Sequence, residues 1–136
     1  MLRHPDHIGI AVRDLDIATR CYETLLGVPP YKSETVVSES VRTVFFRTGD
    51  TKIELLSPLD DQGPIARFLL KHGEGIHHVA FEVEDILAEM ERLRHAGFRL
   101  LQEEPRPGAD DKLVCFLHPK DAHGVLVELC QSRKDR

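Results

Sequence analysis

Two stretches of this chain repeat one another almost residue for residue, and that repetition limits the folds open to it more than any other feature. Asp6-His7-Ile8-Gly9-Ile10-Ala11-Val12-Arg13-Asp14-Leu15 is answered by Gly75-Ile76-His77-His78-Val79-Ala80-Phe81-Glu82-Val83-Glu84-Asp85-Ile86 at an offset of 71 residues. At that offset His7 falls on His78, the large apolar residues Ile8, Ile10 and Val12 fall on Val79, Phe81 and Val83, and Asp14 falls on Asp85. A chain carrying one supersecondary unit twice is expected to fold each copy alike.

The correspondence continues past the first strand. Asp14 to Leu26 has apolar or small residues at Ala18, Cys21, Tyr22 and Leu25, the three-and-four spacing of a helix face, and Gly27 stands where a left-handed cap would end it. From Asp85 to Ala96, Ile86, Met90 and Leu93 make the second stripe, and Gly97 follows. Each copy closes on a strand with one glutamate among aliphatics, Lys52-Ile53-Glu54-Leu55-Leu56 and Val125-Leu126-Val127-Glu128-Leu129. The interval from histidine to glutamate is 47 residues in the first copy and 50 in the second.

The segments between complete the pattern. Val28-Pro29-Pro30-Tyr31 stops the first helix, Thr35-Val36-Val37 and Val41 to Phe46 read as strands, and Gly49-Asp50 turns into Thr51 to Leu56. The first copy, about residues 5–58, is therefore strand, helix, then three strands. Ser57 to Gly63 is turn chemistry, and Pro64 begins a short connector helix, about 64–73, with Ile65, Phe68 and Leu69 inward. The second copy, about 76–130, gives strand, helix, Arg99-Leu100-Leu101, a polar loop from Glu103 to Lys112, Leu113 to Leu117, and Val125 to Leu129. That loop reads equally as a mobile lip over a pocket and as a hairpin connection. Gln131 to Arg136 reads as a frayed tail.

At 136 residues the two copies are too small to be comfortable alone, which favours one α+β domain built from two βαβββ modules. Eighteen Lys plus Arg stand against 23 Asp plus Glu, and no basic run interleaved with aromatics occurs, so a nucleic-acid surface is disfavoured. A small polyanionic ligand remains compatible, because a few local cations suffice for phosphates. Cys21, Cys115 and Cys130 lack metal-motif spacing and are odd in number, and they read as reduced core or near-core residues. No signal-type apolar run opens the chain and nowhere do 18 apolar residues follow one another, so the expectation is a soluble cytoplasmic protein without a membrane partner.

Alternation along a strand assigns the faces. Ile8, Ile10 and Val12 share one face, leaving His7 with Gly9 and Ala11; Val79, Phe81 and Val83 share another, leaving His78 with Ala80 and Glu82. Glu54 opposes Ile53 and Leu55, and Glu128 opposes Val127 and Leu129, so both glutamates can join the roomier, small-residue face. His77 has the wrong parity. A single strand histidine or glutamate is ordinarily a surface or hydrogen-bonded residue. The same pair in both copies points instead to an N₂O₂ set for a divalent metal, His7, Glu54, His78 and Glu128, with positions left for water or substrate. His72 ends a helix, where a positive ring suits the dipole. His95 lies among Arg92 and Arg94, and His4 is terminal; His118 and His123 bracket a turn before the last strand, where a role outside the site is the ordinary one.

These residues resemble the vicinal-oxygen-chelate superfamily (glyoxalase, bleomycin resistance protein, dioxygenase) and, within it, the methylmalonyl-CoA epimerase family. The resemblance is carried by Asp6 to Val12, Lys52 to Pro58, Gly75 to Val83, Phe116-Leu117-His118-Pro119-Lys120 and Gly124 to Leu129, nearly the whole chain. It implies an open, cupped mixed sheet around a metal held by His7, Glu54, His78 and Glu128. It further implies a homodimer, an acyl-CoA substrate, and inversion at C2 through an enolate stabilised by the metal, cobalt first and manganese, nickel or zinc as alternatives. In one branch a base glutamate lies on the strand occupied here by Val41 to Phe46; the matching residue is Thr43, which leaves Glu128, Glu54 and Glu39 as candidate proton carriers. Two other readings are a glyoxalase I-type lyase, which the sequence His118-Pro119-Lys120 fits poorly, and a metal-free binding module, which would have no use for the four ligands.

Overall fold

A computed structural model describes residues 2–133. The chain separates into two compact units, residues 7–77 in one and the segment from His78 onward, with the residues before His7, in the other. The first unit contains the second half of β1 (Leu2–Ala11), then α1 (Leu15–Leu26), β2 (Lys32–Val36), a 3-10 turn (Val37–Glu39), β3 (Val41–Thr48), β4 (Thr51–Pro58) and α2 (Pro64–His72). Its strand order is β2-β3-β4-β1, with β1 parallel to β4 and the other pairs antiparallel. Asp14 caps α1, its carboxylate accepting from Ile17 N at 3.0 Å, and Gly27 closes the helix at φ 73°. A cap of this kind contributes about 1 kcal/mol.

Helix α1 covers one sheet face, burying Val12, Leu15, Val44, Phe46 and Leu55 with help from Ile10, Ala18, Tyr22, Leu26 and Ile53. The expected stripe therefore holds at Ala18 and Tyr22 and is one position out at Cys21 and Leu25. Leu15, Ala18, Tyr22 and Leu26 face the sheet, while Cys21 is exposed and Leu25 is 69% exposed. Cys21 is accordingly not a core thiol, unlike Cys115 and Cys130, both fully buried. The other sheet face is closed at one end by α2, where Ile65 and Leu69 pack on Ala11, Val41 and Leu56. Gly63 precedes α2 because a Cβ there would meet the Glu39 carbonyl oxygen at 2.8 Å. The expected turn begins later than Ser57, because β4 runs on through Pro58 opposite Val41.

The second unit repeats the plan with β5 (Gly75–Val83), α3 (Ile86–His95), β6 (Arg106–Gly108), β7 (Lys112–Phe116), a 3-10 turn (Pro119–Ala122) and β8 (Val127–Ser132). The strand order is β5-β8-β7-β6, again with one parallel pair, β5 with β8. Asp85 caps α3 as Asp14 caps α1, accepting from Ala88 N at 3.2 Å. Ile86, Met90 and Leu93 bury against Val83, Cys115, Leu117 and Leu129, as the stripe predicts.

Three expectations change here. Arg99 to Leu101 is no strand beyond a single Leu100–Leu117 bridge, because the Arg99 N–H donates to Asp121 Oδ2 at 2.8 Å instead of to a strand neighbour. The third strand of the module is β6, inside the polar loop, so that loop is a hairpin connection to β7. Gly108 permits the approach, since a Cβ there would lie 2.9 Å from Val114 Cγ1. The tail reading also shifts: Gln131 and Ser132 belong to β8, paired with Leu113 and Lys112, and the Gln131 side chain accepts from Ile86 N at 2.8 Å. Residues 134–136 of the expected tail lie outside the described residues. Among the described residues no helix is long and apolar enough to cross a membrane.

Candidate functional site

Strand register brings each histidine to its glutamate. In the first unit the parallel β1–β4 pair sets Gly9 beside Glu54, and His7 Nε2 lies 3.4 Å from Glu54 Oε1. In the second the parallel β5–β8 pair sets Ala80 beside Glu128, and His78 Nε2 lies 3.4 Å from Glu128 Oε1. In both copies the glutamate stands next to the small residue two places past the histidine. The absence of bulk at Gly9 and Ala80 lets the longer side chains on either side turn toward one another over the sheet.

All four groups are buried, at 6% exposure for His7, 4% for Glu54, 4% for His78 and 5% for Glu128. A spacing of 3.4 Å is long for a charge-assisted hydrogen bond, which closes to about 2.7–2.9 Å. It is close to the separation of two donors each about 2.1 Å from one tetrahedrally bound ion. Mixed imidazole and carboxylate donors also suit a divalent transition ion. The residues present therefore fit a metal on both spacing and donor type.

A phenylalanine stands across the strand from each glutamate, Phe45 against Glu54 and Phe116 against Glu128. Phe45 and Phe116 are themselves 71 residues apart, the offset of the repeat, so the apolar wall recurs with the His–Glu pair it shields. Phe116 meets the His78 ring edge-on at 5.9 Å, which fixes the orientation of that imidazole. Each pair thus has one apolar wall that keeps bulk water from its carboxylate.

The remaining candidates fall elsewhere. His77 points away from the His78 face and sets its ring edge-on to Phe68 at 5.0 Å. Glu39 ends the 3-10 turn before Val41, and Val41 lies four residues, about 13 Å, along β3 from the partner of Glu54. The α2 cluster of Ala11, Val41, Leu56, Ile65 and Leu69 packs in that interval, so Glu39 is not brought beside Glu54. Thr43 does share the Glu54 face: it is 1% exposed, and its Oγ1 has no hydrogen-bond partner among the described residues. Directly across from Thr43 on β2 is Glu34, half-buried, with its carboxylate 3.5 Å from Lys32 Nζ. Glu34 was missed because nearness in sequence favours Glu39, whereas β2–β3 pairing decides which acid shares the face.

Of the other histidines, His118 uses Nδ1 to accept from Lys120 N at 3.2 Å, and His123 takes φ 55° to end that 3-10 turn. His72 packs on Phe68, His95 meets Glu91 at 2.9 Å, and His4 lies 4.0 Å from Glu82. A buried ion pair, Lys112 with Asp6 at 3.4 Å, was also missed, because 106 residues separate its members. Burial disfavours the Lys112 ammonium, but the surrounding anionic groups, Asp6 foremost, outweigh it and hold the pKa above the ordinary lysine value.

The chain belongs to the glyoxalase/bleomycin resistance protein/dioxygenase superfamily, whose family model matches residues 6–116. It has the vicinal-oxygen-chelate fold of that superfamily. Particular relatives are more specific. The ethylmalonyl-CoA/methylmalonyl-CoA epimerase of Cereibacter sphaeroides is 47% identical over 133 residues, spanning 96% of this chain and 99% of that one. Human mitochondrial methylmalonyl-CoA epimerase is 44% identical over 128 residues, 93% of this chain and 73% of its own. A variant of Streptomyces coelicolor methylmalonyl-CoA epimerase, solved in complex with 2-nitronate-propionyl-CoA, matches with a TM-score of 0.94 at 37% identity over 98% of this chain and 99% of that one.

Proposed function

We propose that this protein is a metal-dependent epimerase that interconverts (R)- and (S)-methylmalonyl-CoA by removing the C2 proton and reprotonating C2 on the opposite face. The observation that carries the reading is the twofold His–Glu pair, buried and spaced 3.4 Å in each copy, in a chain that is 47% and 44% identical to two relatives named as epimerases. A solved methylmalonyl-CoA epimerase complex with methylmalonyl-CoA and NH4+ has a TM-score of 0.94 at 37% identity, which supports the same substrate here.

His7, Glu54, His78 and Glu128 would hold one divalent ion, with cobalt the first expectation and manganese, nickel or zinc the alternatives. When bound, that ion supplies Lewis acidity toward the thioester and carboxylate oxygens flanking C2, a contribution of several kcal/mol to the barrier. The chain's own residues do the rest. The imidazoles of His7 and His78 would hold that ion through a ring-nitrogen lone pair, adding no negative charge of their own. Phe45 and Phe116, across the strands from Glu54 and Glu128, shield those carboxylates from bulk water during the chemical step, and a carboxylate that has taken the C2 proton exchanges it with solvent between turnovers. Inversion needs proton carriers reaching both faces. Glu128 and Glu54 are two such carboxylates, and Glu34, on the Glu54 face beside Thr43, is a nearer third than Glu39.

A cytoplasmic homodimer is the expected state, since each unit leaves an edge strand, β2 or β6, whose exposed backbone invites covering. The test of function compares two reactions, methylmalonyl-CoA epimerisation and isomerisation of a glutathione hemithioacetal, with metal-loaded and with chelated protein. Metal-dependent epimerisation alone supports the reading. Hemithioacetal isomerisation alone would transfer it to the glyoxalase class, and neither reaction would leave the binding-module reading.

A further inference from the structure

The backbone of Phe116, the residue that walls Glu128, is not held by its strand neighbours. Phe116 pairs with Glu128 across β7 and β8, and beside that pair the Leu117 N–H donates to the Val127 carbonyl oxygen at 2.9 Å. In antiparallel strands this pattern marks a pair that exchanges no hydrogen bonds of its own, with Cα atoms about 4.5 Å apart and side chains close. The Phe116 N–H and C=O therefore point away from β8. Strand β6 does not reach them either, because its pairing with β7 stops at Arg106 and Val114.

Both groups are taken up by the segment that follows α3. The Leu101 N–H donates to the Phe116 carbonyl oxygen at 2.8 Å and the His118 N–H to the Arg99 carbonyl oxygen at 2.8 Å, the two bonds that frame the Leu100–Leu117 bridge. A regular ladder would next run from the Phe116 N–H to the Leu101 carbonyl oxygen. The Phe116 N–H donates to Gln102 Oε1 at 2.8 Å, so a side chain stands where strand backbone would be. An N–H can only donate, which fixes the Gln102 amide with its oxygen inward.

The first copy braces its own phenylalanine from the same position. At the repeat offset of 71 residues, Gln102 falls on Tyr31 as Phe116 falls on Phe45. The Tyr31 N–H donates to the Phe45 carbonyl oxygen at 2.9 Å, and the Tyr31 ring packs on the Phe45 ring at 5.9 Å. Tyr31 thus uses backbone and ring where Gln102 uses its side-chain oxygen.

We propose that Gln102 is a positioning residue for the His78–Glu128 pair, fixing the Phe116 backbone so that the Phe116 ring sets the plane of the His78 imidazole. The two rings meet at 89° with centroids 5.9 Å apart, and His78 Nε2 lies 3.4 Å from Glu128 Oε1, so a shift of Phe116 is passed to the nitrogen that faces the carboxylate. Gln102 acts through Phe116 and not on substrate. The proposal rests on the metal reading above and adds a residue outside the four ligands that aims one of them. Partners that orient a metal ligand from behind typically change metal affinity about 10–100-fold when removed.

The experiment compares Gln102→Leu, similar in size but without an acceptor, with Gln102→Glu, which keeps an acceptor oxygen. Asp121→Asn is the control, since it loosens the same segment at Arg99, whose N–H and guanidinium donate to Asp121. Three quantities are read: cobalt affinity by calorimetry, the NMR shifts of the His78 ring protons in metal-free protein, and Tm. Gln102→Leu is expected to weaken cobalt binding roughly ten-fold and to move the His78 ring signals. Gln102→Glu should recover most of both, and Asp121→Asn should lower Tm while leaving both as in the wild type. Unchanged affinity or unmoved ring signals in Gln102→Leu, no recovery in Gln102→Glu, or the same changes in Asp121→Asn would overturn the positioning role. If the wild-type protein binds no cobalt, the metal reading fails separately. The metal-free ring signals then decide the proposal: moved in Gln102→Leu and recovered in Gln102→Glu they uphold it, and unmoved in Gln102→Leu they overturn it.

Discussion

Replacing His78 by Ala and, separately, His77 by Ala tests whether strand parity chose the metal ligand correctly. The two rings are adjacent in sequence but make different contacts: His78 meets Phe116 edge-on at 5.9 Å and Glu128 at 3.4 Å, whereas His77 meets Phe68 edge-on at 5.0 Å. Each loses one aromatic contact, about 0.5–1.5 kcal/mol. His78→Ala also removes the imidazole beside a carboxylate that is 5% exposed, adding about 1–3 kcal/mol of desolvation. Without metal, both variants should therefore fold and be only modestly destabilised. With metal they should part. At a free ion concentration one hundred times Kd, binding stabilises the native state by about 2.7 kcal/mol, near 10 °C in Tm for a chain of this size. His77→Ala should keep that shift, and His78→Ala should lose it, with metal affinity down by more than the 10–100-fold typical of residues that merely support a ligand. Thermal scans with and without cobalt, together with metal content after dialysis, read both quantities. Loss of the shift in both variants, or its retention in both, would refute the parity argument.

Other outcomes follow from the same structure. With an ordinary thiol reagent the native protein should titrate one cysteine, Cys21, and three after unfolding, because burial encloses Cys115 and Cys130 and raises their pKa values; three reactive thiols in the native state would contradict the packing. Asp121 is drawn down to about 2 by its hydrogen bonds from Arg99, so its contribution to stability is full above the ordinary carboxylate pKa near 3.8 and is lost as pH falls through about 2. Asp121→Asn should accordingly lower Tm at neutral pH and converge on the wild type near pH 2, and a gap constant across that range would show that the pair is not responsible. Met90→Ala, at a side chain 1% exposed in the α3 core, should cost about 2–5 kcal/mol in urea unfolding, and a cost below 1 would mean the core is looser than described. Sedimentation at micromolar concentration should give a dimer, and a monomer would count against the proposed assembly.

The repeat made the architecture legible because it supplies two independent readings of one plan. Helix caps at Asp14 and Asp85, the β1 and β5 faces, and the pairing of each histidine with a glutamate all follow from residues whose chemistry recurs at one offset. The misreadings occurred where local pattern competes with tertiary contact. Leu15, Ala18, Tyr22 and Leu26 and the stripe built on Cys21 and Leu25 differ by one position on the helix, and only the sheet beneath decides between them. Arg106 to Gly108 carries no apolar signal at all; it becomes a strand because Gly108 admits Val114. Glu34 was not legible as a neighbour of the site, since its place on the Glu54 face is a consequence of β2–β3–β4 register and not of any motif.

The central claim, proton exchange at C2 under metal control, is tested most directly by following methylmalonyl-CoA in deuterated buffer by NMR with metal-loaded, chelated and Glu128→Gln protein. The account predicts loss of the C2 proton signal and conversion between epimers with the loaded wild type, little of either after chelation, and recovery when cobalt or manganese is restored. Glu128→Gln should exchange far more slowly even at saturating metal, since an amide cannot accept the proton. A loaded wild-type protein that leaves the C2 proton in place would contradict the account.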